Sequence, residues 1–168
     1  MRSLGLILAS ATIAALAFLS SNSSASASGA VTFFAVLNGQ NECDGGTPPE
    51  CHHGDLNAYG AATILLIPAP TPTVCFGLVV NRLSNVTLAH IHAGASGVNG
   101  AIVITLTPAG APVSGNPNGW GGCPSGGDVT AGEIAAIKAN PQNFYVNVHT
   151  QGTPPNGFPN GAIRGQLF

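Results

Sequence analysis

The chain has 168 residues, 45% of them hydrophobic but only 6% charged, with 23 glycines, 13 prolines and a formal net charge of −2. Four Lys and Arg residues in all are too few to neutralise a run of phosphates, which excludes a nucleic-acid or anionic-membrane binder. Patterned aliphatic runs exclude disorder, and the placement of Gly and Pro between those runs points to a small all-β protein.

Met1-Arg2-Ser3, the apolar run Leu4 to Leu19 and Ala25-Ser26-Ala27 follow the order of a cleavable secretory signal. At sixteen residues the apolar run is short for a membrane span, which needs roughly 20. Residues 1–27 are therefore expected to be a signal peptide, and 28–168 one exported, periplasmic or extracellular domain without a membrane span. Only Arg82, Lys138 and Arg164 remain as fixed cations in that domain, against six carboxylates.

A first β run covers Val31 to Leu37 and ends at Asn38-Gly39. The Pro/Gly-rich segment after it contains Cys43 and Cys51, followed by His52-His53-Gly54-Asp55. Adjacent histidines in an extended segment point to opposite sides, so this pair is a weak metal candidate. Further β runs are expected at Ala58 to Ile67, Thr73 to Val80, Val86 to His92 and Ala101 to Thr107.

Cys75 and Cys123 complete an even set of four in an exported chain, which reads as two disulfides among three conceivable pairings. The favoured pairing is Cys43–Cys51, closing a local loop, with Cys75–Cys123 pinning the long loop before the helix to a strand. The chain-entropy model assigns them roughly 2.6 and ~4 kcal/mol. No pair has the C-x2-C spacing of a thiolate metal site.

Thr130-Ala131-Gly132-Glu133 forms a capping box that starts one short helix, a lid carrying Ile134 and Ile137 on one face and stopped by Pro141. The chain ends in two more β runs, Phe144 to Thr150 and Ala162 to Phe168. Asn38-Gly39, Asn99-Gly100, Asn156-Gly157 and Asn160-Gly161 are expected to supply turns with positive φ. About seven to eight strands with one helix define an antiparallel β-sandwich or barrel.

Ala89-His90-Ile91-His92 is the most pointed chemical feature. A strand alternates its faces, so both imidazoles stand on one side. His149 shares a face with Asn147 and Tyr145 on a later run. Three imidazoles and an open position suit mononuclear copper or zinc, with affinity falling below roughly pH 6 as imidazole protonates. The competing reading has His90 continuing the face of Val86 and Leu88 as a packed, hydrogen-bonded residue. Arg164 is expected to cap loop carbonyls or pair with a carboxylate, with ligand capture as the alternative. No G-x-S-x-G elbow, phosphate loop or paired strand carboxylates occur, so an enzyme is not expected.

Five segments together resemble the CHRD domain family, which occurs in repeats in chordin and singly in secreted bacterial proteins. They are Phe34 to Glu42, Ala89 to His92, Asn99 to Val103, Phe144 to Thr150 and Gly161 to Leu167. The resemblance implies a β-sandwich or barrel. Its His-x-His strand is similar to the copper-binding strand of copper–zinc superoxide dismutases, although a bridging His and a zinc-binding Asp are not assignable here. Family members usually carry Gly after the second motif His and Glu before Ile-Arg-Gly-Gln, where this chain has Ala93 and Ala162. The function expected is a non-enzymatic, monomeric binding or structural module for an extracellular protein or surface ligand. Copper or zinc binding is the alternative, and dismutase-like redox activity a lesser one.

Overall fold

The computed structural model describes residues 29–43, 51–107, 118–124 and 129–168. The expected signal segment 1–27, with Glu50 and Asp128, lies outside them. Eight strands form one antiparallel sheet: β1 (Val31–Asn38), β2 (Tyr59–Ile67), β3 (Thr73–Asn81), β4 (Val86–Ala93), β5 (Ile102–Thr107), β6 (Gly119–Gly122), β7 (Phe144–Thr150) and β8 (Ile163–Gln166). Their spatial order is β5-β4-β7-β8-β1-β2-β3-β6, and the sheet curls into a nearly closed barrel. Of the two architectures expected, the barrel is the one formed.

Alternation along each strand explains the core. Leu37, Ile64, Leu66, Val74, Val80, Ile91, Val146, Val148 and Ile163 all point to the inner side and are completely buried. The opposite faces of β1, β2 and β3 are open to solvent at Phe34, Val36, Tyr59 and Val79. On β7 every residue is buried, because its outer face is covered as well.

The helix α1 (Ala131–Ala139) has the expected capping box: Glu133 N–H donates to Thr130 Oγ1 at 3.1 Å, and Thr130 N–H donates to Glu133 Oε2 at 2.7 Å. Its buried residues, Ile134 and Ile137, join the barrel core rather than forming a separate lid. Among the described residues no helix is long and apolar enough to cross a membrane.

Both favoured disulfides are formed, Cys43–Cys51 and Cys75–Cys123. The second joins β3 to the end of β6, a strand without a sequence signal. The Asn-Gly expectation needs correcting: only Gly161 of the four takes a positive φ, at 147°. At Gly39, Gly100 and Gly157 the requirement is close approach, since a side chain would run into the backbone carbonyls of Asp55, Ala93 and Gln151 respectively. The last β run is shorter than expected, but Phe168 and Phe34 still exchange backbone hydrogen bonds at 3.0 and 3.1 Å, tying the C-terminus to β1.

Candidate metal centre

The outer faces of β4, β7 and β8 carry buried polar residues, His90, His92, Asn147, His149 and Arg164. In the antiparallel register Leu88 stands opposite His149, His90 opposite Asn147, and His92 opposite Tyr145. Across the next pairing, Asn147 faces Arg164 and Tyr145 faces Gln166. The alternation that sends Ala89, Ile91, Val146 and Val148 into the core therefore gathers the three histidines outside it. Two register irregularities between β4 and β5 flank His90 and His92, a place where bulges re-aim side chains.

Two loops cover this face, the one between β4 and β5 and the one between β7 and β8. Beneath them His90, His92 and His149 are 6%, 8% and 7% exposed. One ring nitrogen of each lies within 4.8 Å of the others. His90 Nδ1 and His149 Nε2 are hydrogen-bonded at 3.1 Å. Tetrahedral donors about 2.1 Å from a zinc-sized ion stand roughly 3.4 Å apart, close to the separation of the His90–His149 pair.

Hydrogen bonds to carbonyls set the tautomers. His149 Nδ1 donates to Pro159 O at 2.9 Å, and His92 Nδ1 donates to Gly100 O at 3.0 Å. A carbonyl only accepts, so in both rings the lone pair is left on Nε2. His92 Nε2 is buried and has no hydrogen-bond partner. Carbonyl-anchored imidazoles whose second nitrogen keeps its lone pair are the arrangement that orients metal ligands.

Burial holds the His90 pKa down at about 4, with repulsion from His149 and then His92 adding to it. His92 is lowered too, chiefly by burial; its bond to Gly100 opposes the shift and Arg164 reinforces it. Burial thus favours the neutral form of both rings, the form able to coordinate.

Arg164 is 1% exposed and caps the covering loop, as expected: Nη2 donates to Ala95 O and Val98 O at 2.9 Å each, and Nη1 to Asn99 Oδ1 at 3.3 Å. Its guanidinium lies 3.5 Å from the centroid of Tyr145, whose other side stacks on His92 at 4.9 Å and 9°. Burial lowers its pKa, opposed by Tyr145 and Glu42, and the group stays cationic.

Two residues matter more than the sequence reading allowed. Glu42 is a buried acid, 1% exposed, whose Oε1 accepts from Cys43 N–H at 3.1 Å and whose charge supports Arg164. Its one signal was an isolated carboxylate at the end of the first β segment. Tyr145 separates the arginine from the histidines, a role invisible without the strand pairing. The His52–His53 pair forms no metal group with its neighbours among the described residues. His53 Nδ1 donates to Glu42 O at 3.1 Å, and its Nε2 accepts from Gln40 at 2.9 Å, so both nitrogens serve the fold. His52 and His53 line a cleft of about 260 Å³ against Phe158 and Pro159.

The pattern of the CHRD domain matches residues 33–167, nearly all of the described barrel. No curated protein and no solved structure matches the chain significantly. On the strength of that match the chain belongs to the CHRD domain family.

Proposed function

We propose that this domain is an exported, non-enzymatic module that holds one zinc or copper ion at His90, His92 and His149. The observation that carries the reading is the convergence of three buried ring nitrogens from two paired strands, two of the rings having tautomers fixed by loop carbonyls. Export is supported by the signal-like N-terminus, two disulfides and the family, which occurs in secreted proteins. A binding role rather than catalysis is supported by membership of the CHRD domain family. The partner of such a module would be an extracellular protein or surface ligand.

Elemental analysis and titration of the purified disulfide-bonded protein with zinc chloride or copper sulfate test this. One ion per chain is expected, abolished in a His90→Ala/His92→Ala/His149→Ala variant. A chain that gives no saturable complex, or a triple variant that binds equally well, overturns it.

A further inference from the structure

The histidine triad supplies three donors, and the strand pairing identifies a fourth. We infer that Asn147 Oδ1 completes the site, closing it into a four-coordinate centre of three imidazoles and one amide oxygen around a divalent zinc or cupric ion. This rests on the triad being a metal site.

Three features lead to Asn147. First, it occupies the middle of the cluster: its Cα partner is His90, while His149 and His92 belong to the flanking cross-strand pairs, with Leu88 and Tyr145. His90 meets His149 through Nδ1, and an asparagine Oδ1 lies the same number of bonds from its own backbone. His92 and His149, set one pair away on either side, have Nδ1 held by loop carbonyls, which turns their longer-reaching Nε2 atoms inward. Donors of equal reach on the central pair and longer reach on the flanking pairs converge on one point above the sheet.

Second, Asn147 is 2% exposed and its Oδ1 has no hydrogen-bond partner, the same condition as His92 Nε2 on the same face. Leaving either acceptor buried and unsatisfied is costly, and a single cation would satisfy both.

Third, the amide is oriented for the purpose. A methyl group built on Gly161, just before β8, would run into the Glu42 carboxylate and lie 2.9 Å from Asn147 Nδ2. The amide nitrogen therefore lies on the Gly161 and Glu42 side, and we read its planar partner Oδ1 as turned the other way, toward β4, which flanks β7 on the opposite side from β8.

A site with four protein donors has no vacant position for water or substrate, which is the property of a structural or storage centre rather than a catalytic one. A hard, neutral oxygen beside imidazoles suits zinc or cupric ion better than cuprous ion.

The test compares the wild-type protein with Asn147→Ala and Asn147→Asp. Affinity is read by competition of zinc and cupric ions against a chelator, and inner-sphere water by proton relaxation of the cupric form. The wild type is expected to bind with no exchangeable inner-sphere water. Asn147→Ala should bind at least about tenfold more weakly and admit a water, while Asn147→Asp, with an anionic oxygen at the same reach, should bind at least as tightly as the wild type. Equal affinity and unchanged relaxation in Asn147→Ala overturn the fourth donor while leaving the three-histidine site intact. A wild type that takes up neither ion overturns both. Should Asn147→Ala fail to fold, Asn147→Asp decides alone: weaker binding than wild type overturns the assignment.

Discussion

Acidifying the ion-free protein from pH 7 to pH 4 is expected to remove about 3 kcal/mol of folding stability through His90. In the unfolded chain its imidazole titrates at the ordinary 6.5, whereas burial, with His149 and His92 beside it, holds it at about 4 in the fold. Between those values the unfolded chain binds a proton that the native state refuses. The contribution is therefore whole above pH 6.5, declines as pH falls, and levels off near pH 4. A displacement of roughly 2.5 pH units at about 1.36 kcal/mol per unit gives the magnitude. Urea unfolding of chelator-treated wild type and His90→Gln at pH 7, 5.5 and 4 separates this term from every other titration. The stability difference between the two should move by about 3 kcal/mol in favour of the variant on going from pH 7 to pH 4. Parallel losses in both proteins would refute the reasoning.

Replacing Arg164 by Met leaves Ala95 O and Val98 O without their shared donor and should cost about 3 kcal/mol in urea unfolding, with faster amide exchange between residues 94 and 100. Arg164→Lys should recover less than half, because an ammonium lacks the planar fork, and full recovery would contradict the capping role. Removing Cys75–Cys123 with paired Ser substitutions should destabilise by about 4 kcal/mol, against about 2.6 kcal/mol for Cys43–Cys51, given sequence separations of 48 and 8. Thermal melts in which the short loop mattered more would reverse the entropic ordering.

How much of this was legible in the sequence differs by element. Phe144 to Thr150 states both of its faces in seven residues, and the strand runs between the same two residues. Thr130 and Glu133 announce their helix because capping is a local interaction. Gly119-Trp120-Gly121-Gly122 carries no alternation and becomes a strand only because β3 offers it an edge, with Leu78 opposite Trp120. The histidines follow the same division. That His90 and His92 share a side is a property of one strand; that His149 joins them depends on the register of two strands some sixty residues apart, which no local pattern encodes. The lowered pKa of His90 is likewise encoded in no local pattern, since its burial comes from loops folding over the outside of the sheet.

The short strand β6 has a further significance. Three of its four residues are glycine, so it has little grip of its own, yet it occupies the free flank of β3, a nine-residue strand whose alternate positions are Val74, Phe76, Leu78 and Val80. An uncovered flank of that length and composition is a template for strand exchange between molecules. The Cys75–Cys123 bond ties the end of the weak strand to β3, and the reduced protein is expected to begin to aggregate through β3 before the barrel as a whole unfolds.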